Sequence, residues 1–216
     1  MKRNKMSKLD FQRFDRYYEE KRSTYDPLQR RLAHEHLLVE SLCADHDDIE
    51  SKLLHPDQLP PLDYRITFTG LKSIVGIDDD QLPKFGDVHV MEIRMTHNYP
   101  VEPPVCYMCT DIWHPNIQSD PGPFQGRICG NTEGFGSYYT LDELILRIRS
   151  MLSYETYHAT MTDPFPEDEN VARWVREFGE PLGIVQLGRG LDQDWKAPEN
   201  WREMVSLEKK VRISMV

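Results

Sequence analysis

Apolar residues recur at helical spacing in three stretches of the chain. The first opens with Asp26-Pro27, an N-cap followed by a proline at the first helical position, and predicts a helix to about Ala44. The second opens with Thr140 and Glu143, which form a capping box, and predicts the central buried helix. Its apolar stripe consists of Leu141, Leu144, Ile145, Ile148, Met151 and Leu152. The third stretch predicts a C-terminal helix over residues 171–178.

Between the first and second helices, apolar and polar residues alternate as they do in half-buried strands. We predict strands over residues 64–70, 88–95 and 105–110, with a turn over residues 78–86. Short links between consecutive strands favour an antiparallel meander, and the helices must cover one of its faces. The predicted fold class is therefore α+β.

Composition narrows the classes of function. The chain has 216 residues, enough for one domain with extensions, and its 36 acidic and 26 basic residues give a net charge of −10. Such a chain is a poor candidate for binding nucleic acid or an anionic membrane. No run approaches the roughly 18 apolar residues of a membrane span, and no hydrophobic signal region follows the basic start. We therefore expect a cytoplasmic protein.

Two pairs of residues have spacings that suggest a metal or redox site. Cys106 and Cys109 lie in a predicted strand, where residues three apart point to opposite faces, and no second pair completes a zinc site. Both are predicted to be core cysteines. His34 and His36 do not share a helix face and are predicted to lie on the surface. With four cysteines in all, we expect neither a disulfide scaffold nor a cofactor or metal.

The stretch from Tyr99 to Tyr139 interrupts the regular pattern with prolines and glycines. Prolines fix φ and remove N–H donors, so this stretch predicts a well-defined loop and not the interior of a sheet. His114-Pro115-Asn116 precedes Cys129, which lies between two glycines of the same loop. A cysteine on a stiff exposed loop is accessible to a large partner, which indicates a nucleophile.

The order of these motifs resembles the ubiquitin-conjugating enzymes. Tyr99 opens YPxxPP, HPN follows at residues 114–116, then Cys129, then Thr140-Leu141 at the start of a helix. The resemblance covers about residues 27–179. It implies the ubiquitin-conjugating (UBC) fold, with an N-terminal helix, an antiparallel β-meander, a long active-site loop, and central and C-terminal helices.

The same resemblance divides the chain into three parts. Residues 1–25 would be a charged N-terminal extension, residues 26–180 the catalytic domain, and residues 181–216 a C-terminal extension. For the N-terminal part we favour a solvated extension, with a fraying helix or a partner-docking arm as alternatives.

The resemblance also implies the chemistry. Cys129 would accept the C-terminal carboxyl group of ubiquitin or a ubiquitin-like modifier from an activating enzyme as a thioester, and a lysine of a target protein would then attack it. Asn116 would donate to the oxyanion of that step or, alternatively, hold the loop rigid. His114 would be mainly architectural. Asn131 would lie at the rim of the site, where relatives often carry an acidic or hydroxyl residue.

The chain departs from the family near the approach of the lysine. Many relatives carry an acidic residue there, but a register match places Phe165 at this position, with Asp163 nearby. Many relatives also carry a tryptophan after the cysteine, where this chain offers Phe135. These departures suggest a divergent member, such as the conjugating enzymes of bacterial ubiquitin-like operons, some of which are linked to antiphage defence.

Partner surfaces are implied by position. Arg30 and Arg31, adjacent on the first predicted helix, would meet an acidic surface of the activating enzyme, or would only solubilise the helix. Val101 and Tyr138 lie in the loops that relatives use to contact a ligase. A non-catalytic adaptor that binds a ubiquitin-like protein is the alternative function, but such variants usually lose the cysteine. A redox or protease cysteine is disfavoured by the HPN context.

Overall fold

The computed structural model describes residues 8–129, 136–163, 165–192 and 194–205, with the side chains of residues 8–11 left out. In chain order the elements are α1 (Lys8–Lys21), α2 (Pro27–Asp45), β1 (Ile49–Leu53), β2 (Asp63–Ile77), β3 (Pro83–Arg94), β4 (Val105–Met108), α3 (Leu141–Leu152), α4 (Glu169–Trp174), a π-helical turn (Val175–Gly179), β5 (Val185–Gln186) and β6 (Gly190–Leu191). Residues 109–140, between β4 and α3, are called the active-site loop below.

Strands β1 to β4 form the antiparallel meander that the sequence predicts, which confirms the α+β class. Strand β1 was not predicted, because its five residues carry apolar side chains only at the two ends. The turn between β2 and β3 is shorter than predicted and occupies residues 78–82. The Asp78 carboxylate closes it by accepting the N–H groups of Asp80 and Leu82 at 2.9 and 2.8 Å.

Helices α2 and α3 begin where their caps predict. The Asp26 carboxylate accepts the Gln29 N–H at 2.8 Å, and the Glu143 carboxylate accepts the Thr140 N–H at 3.0 Å. All six residues of the predicted α3 stripe are buried, and they pack with α2 and the inner face of the sheet in one hydrophobic cluster. Helix α3 is therefore the central buried helix that we expected.

Helix α1 packs against α2, so the interpretation of this segment as a solvated extension is wrong for the described part. Tyr18 is only 5% exposed, and its hydroxyl lies 2.6 Å from Nδ1 of His36. The Phe14 ring packs at a tilt against the same imidazole, with ring centroids 4.6 Å apart. His36, predicted on the surface, is consequently fully buried, whereas His34 is exposed as predicted.

The cysteines near β4 divide between the two faces of the sheet. Cys106 is buried on the inner face, as predicted, but Cys109 follows the end of the strand and is exposed, so its assignment to the core is wrong. Alternation along the strand explains both outcomes. Among the described side chains, no group of three or more His, Cys, Asp or Glu could hold a metal ion.

A second hydrophobic cluster holds the C-terminal part of the chain. Its members are Ile74, Tyr154, Ala159, Val171, Ala172, Trp174, Val175, Phe178, Ile184, Val185, Leu191, Trp201 and Val205. Trp201 and Trp174 donate their indole N–H groups to the carbonyls of Asp80 and Gln81 at 2.6 and 3.1 Å, which ties this cluster to the β2–β3 turn. The boundaries 1–25, 26–180 and 181–216 stay a prediction. None of the helices in the described ranges has the length and apolarity that a bilayer-spanning helix requires.

Candidate active site

Cys129 lies beside Asn116, at the end of a short antiparallel pairing within the active-site loop. Ile117 and Ile128 form a β-bridge, and the Cys129 N–H donates to the Asn116 carbonyl at 2.9 Å. Ile128 donates its N–H to the Cys106 carbonyl at 3.0 Å, which joins the pairing to strand β4. The cysteine is half-buried, so a fixed backbone presents its sulfur while part of the residue stays accessible.

The bend that leads into this pairing requires a glycine. Gly126 has a φ of +77°, a left-handed conformation, and a Cβ at this position would overlap the carbonyl oxygen of Met108. The Met108 N–H donates to the Gly126 carbonyl at 2.7 Å, so the two backbones touch at this point. The close approach fixes the starting point of residues 127–129.

The Asn116 side chain is held by one hydrogen bond from a distant loop. It is 8% exposed, and its Oδ1 accepts the backbone N–H of His158 at 2.9 Å. Because an N–H donor fixes the position of the amide oxygen, the Nδ2 group faces the other way and retains donors for a further acceptor. The backbone carbonyl of the same residue accepts the Cys129 N–H, so the two residues are direct neighbours in the pairing.

His114 lies buried within the loop, and its architectural role stays a prediction. Its imidazole is fully buried, packs edge-on against Tyr154 at 4.7 Å, and its Nδ1 accepts the Asn116 N–H at 3.2 Å. Burial lowers the pKa of His114 to about 3, and the backbone of Thr156 offsets this effect only in part. The ring is therefore neutral at physiological pH and bears no proton on the nitrogen that faces the loop backbone.

Asp168 anchors the HPN segment to the start of helix α4. The residue is 3% exposed, and its carboxylate accepts the Val171 N–H at 3.0 Å as the cap of α4. The same carboxylate accepts the N–H of Ser119 at 3.1 Å and also its hydroxyl, while the Asp168 N–H donates to the Pro115 carbonyl at 3.0 Å. Its position three residues before Val171 could have identified the cap, but not the contacts with the loop.

A second anchor involves Arg127, two residues before the cysteine. Its guanidinium donates to the Glu167 carboxylate through Nε at 2.8 Å and through one terminal nitrogen, and it lies over the Phe124 ring at 4.7 Å. Both acidic residues that precede α4 therefore serve as braces for the loop, which the sequence analysis missed.

Of the remaining predicted catalytic residues, only Asp163 lies in the part of the chain that the structure describes. Asp163 is exposed in the connection before α4, and within the described ranges no hydrogen bond joins it to Asn116 or Cys129. Phe165, which the register match placed near the lysine, is 61% exposed. Asn131 and Phe135 lie outside the described residues, so the rim position stays a prediction.

Of the two predicted docking arginines, one faces solvent and the other faces the protein. Arg30 is exposed. Arg31 donates to the Glu35 carboxylate and to the carbonyls of Ser137 and Tyr139, the last two at 2.7 and 2.5 Å. A guanidinium with these three partners holds the end of the active-site loop against α2, and a docking role for Arg31 stays a prediction.

Glu35 is the buried centre of the same arrangement. It is 0% exposed, and besides Arg31 it accepts the Tyr99 hydroxyl at 2.5 Å and the Leu141 N–H at 2.7 Å. One carboxylate thus joins α2, the loop that contains Tyr99 and the first turn of α3. We call Arg31 and Glu35 the α2 clamp.

The two residues predicted to contact a ligase lie in loops held by the α2 clamp. Val101 follows Tyr99 and is 79% exposed, and Tyr138 lies between the two carbonyls that bind Arg31 and is 76% exposed. Single exposed apolar side chains are common on protein surfaces, so this exposure does not by itself indicate a partner. Their role in binding stays a prediction.

Comparison with known proteins relates this arrangement to a family. Residues 77–170 match the family model described as "Ubiquitin-conjugating enzyme". Ubiquitin-conjugating enzyme E2 T of Danio rerio is 31% identical over 140 residues, which cover 55% of this chain and 64% of the relative, so the match spans less than two thirds of that protein.

Solved structures of ubiquitin-conjugating enzymes are also similar. The E2 domain of a Toxoplasma gondii ubiquitin conjugating enzyme has a TM-score of 0.49 and 23% identity, over 71% of this chain and 89% of that one. Human ubiquitin-conjugating enzyme E2 G1 has a TM-score of 0.44 and 18% identity, over 57% of this chain and 95% of that one. The family model and the curated relative thus show that this part of the chain is similar to ubiquitin-conjugating enzymes.

Proposed function

We propose that the protein carries ubiquitin or a ubiquitin-like modifier as a thioester on Cys129 and transfers it to a lysine of a target protein. The observation that supports this most directly is the pairing of Cys129 with Asn116. The backbone of Asn116 holds the cysteine, and its amide oxygen accepts the His158 N–H, which leaves the N–H donors of the amide for another acceptor. No metal or cofactor takes part in the proposed reaction.

The chemistry consists of two acyl transfers. In the first, the Cys129 thiolate attacks the modifier's thioester on the activating enzyme, and the enzyme's thiolate leaves. In the second, the lysine amine attacks the new thioester, a C–N bond forms, the C–S bond breaks, and the proton lost by the amine balances the Cys129 thiolate that leaves, which regenerates the free thiol. The tetrahedral intermediate carries an oxyanion, for which the Asn116 amide is the proposed donor. Asp163 is the proposed group that guides the incoming lysine.

The partners follow from the same proposal. Arg30, exposed on α2, would contact the activating enzyme, and Val101 with Tyr138 would contact a ligase. The setting we propose is the cytoplasm, where the four free cysteines would stay reduced. The assignment to a bacterial ubiquitin-like operon stays a prediction.

The test is a loading assay with ubiquitin as the first probe, followed by ubiquitin-like modifiers, each with its activating enzyme and ATP. We expect a band shift on a non-reducing gel that reductant removes. Modifier binding without any reductant-sensitive product would instead support the non-catalytic adaptor and overturn the proposed transfer.

Asn116→Ala should separate the two acyl transfers. We expect the variant to accept the modifier at the normal rate and to discharge it to free lysine about 10²-fold more slowly, as when other oxyanion donors are removed. Single-turnover discharge assays measure this effect. If the variant loses loading and its melting temperature falls, the side chain acts by holding His158 and the loop, and the oxyanion role is wrong.

Arg30→Glu should slow loading without affecting the fold. Opposite charges across a docking surface mainly raise the association rate, so we expect loading to slow about threefold to tenfold at low salt and less at high salt. Arg16→Glu, an exposed arginine on α1, makes the same change in net charge and is the control. Equal loading rates of the two variants in low salt would show that the activating enzyme docks elsewhere.

A further inference from the structure

The connection from α3 to α4 carries His158, and strands β5 and β6 hold its first part. The Leu191 N–H donates to the Ser153 carbonyl and the Gly188 N–H donates to the Glu155 carbonyl, both at 2.9 Å. Gly190 has a φ of +84°, and a Cβ there would lie 2.8 Å from the Ser153 oxygen. The backbone of the β5–β6 hairpin is therefore in direct contact with the backbone of the connection.

Two side chains brace the same connection immediately on either side of His158. The Tyr157 hydroxyl donates to Oε1 of Glu180 at 2.7 Å. Arg176 donates to the carbonyl of Ala159, which is 6% exposed. Arg176 lies in the π-helical turn and Glu180 directly follows it, so one element holds both neighbours of His158.

We infer that Tyr157, Arg176 and Glu180 are positioning residues for Asn116. The inference rests on the proposed function and extends it to the C-terminal part of the chain. The braces fix the His158 N–H, which holds the Asn116 Oδ1 and so keeps the Nδ2 donors on the side opposite His158.

The physical reason is the geometry of the single hydrogen bond that fixes the amide. A hydrogen bond weakens steeply when its angle falls or its distance grows, so a shift of about 1 Å in the His158 backbone would release the carboxamide. A released amide samples orientations in which oxygen, and not the N–H donors, faces the oxyanion. Misplacement on this scale reduces a rate without removing any reacting group.

Tyr157→Phe tests the inference with a minimal change. The ring that packs on Tyr154 at 5.7 Å is retained, and only the hydroxyl that bonds Glu180 is lost. We expect normal loading of Cys129 and discharge to free lysine slowed about 10-fold, less than the loss from removing Asn116 itself. Tyr17→Phe, which removes the hydroxyl of another half-buried tyrosine, on α1, is the control.

A double-mutant cycle distinguishes positioning from a general loss of structure. If Tyr157 acts through Asn116, then Tyr157→Phe should slow discharge no further in the Asn116→Ala background. Equal slowing in both backgrounds would overturn the inference, as would wild-type discharge by the single variant.

Hydrogen exchange provides a readout that needs no modifier. Tyr157→Phe should accelerate exchange of the His158 amide by about fivefold or more relative to wild type and to Tyr17→Phe. Unchanged exchange would overturn the inference whatever the activity. Faster exchange in a protein that accepts no modifier would leave the brace intact as a structural finding and contradict the proposed function alone.

Discussion

Replacing Cys129 by alanine is expected to abolish loading with the modifier completely. The thiol is the group that forms the thioester in the proposed reaction, and no other cysteine has its surroundings. The expected readout is loss of the reductant-sensitive band with an unchanged circular dichroism spectrum. Cys129→Ser should instead accumulate an oxygen ester that resists reductant, because oxygen esters are less readily aminolysed.

The other three cysteines serve as controls for this experiment. Burial raises the pKa of Cys43 to about 11 and that of Cys106 to about 12. Cys109 is an exposed residue, but partial burial of its thiol raises its pKa as well. A raised pKa leaves little thiolate at neutral pH, so each should be replaceable by serine or alanine with loading retained. Loading by Cys129→Ala, or its loss in a Cys109→Ser variant, would contradict the assignment.

The largest expected effect on stability comes from the α2 clamp. Glu35→Ala should lower the free energy of unfolding by about 3 kcal/mol, since it leaves the Tyr99 hydroxyl and the Leu141 N–H buried without their acceptor and Arg31 without its carboxylate. Urea unfolding followed by far-UV circular dichroism measures the difference.

The matched control is Glu20→Ala, which removes the same side chain from an exposed position on α1. We expect a change of about 0.5 kcal/mol or less. Glu35→Gln keeps an acceptor oxygen and removes the charge, so its cost should lie between the two. A Glu35→Ala protein as stable as the control would show that the clamp contributes no net stability.

Local signals predicted the central part of the fold. Caps at Asp26 and Thr140 act within three residues of themselves, and alternating strands reveal their own buried face, so α2, α3 and the meander could be predicted. Helix α1 could not, because its burial depends on Tyr18 meeting His36 on another helix. The second cluster depends in the same way on tryptophans whose partners are distant in sequence.

The same difference between local signals and contacts over long sequence distances applies to the candidate site. Cys129, Asn116 and His114 belong to ordered motifs that a sequence displays directly. The residues that hold them do not, because His158 lies 42 residues from Asn116 and Asp168 lies 49 residues from Ser119. Asp163 was predicted as a catalytic residue from its residue type and its position in the sequence alone. The residue type does not determine where the side chain lies in the fold.

The α2 clamp also sets an order of events during synthesis of the chain. Glu35 accepts its hydrogen bond from Leu141, which follows it by 106 residues. At typical rates of elongation, the carboxylate is synthesised roughly 5 to 20 s before that N–H donor. During this interval Arg31 is already available to Glu35, but burying the carboxylate before Leu141 is present would leave it one donor short. The hydrogen bonds of this buried carboxylate on α2 can therefore be completed only after the start of α3 has been synthesised.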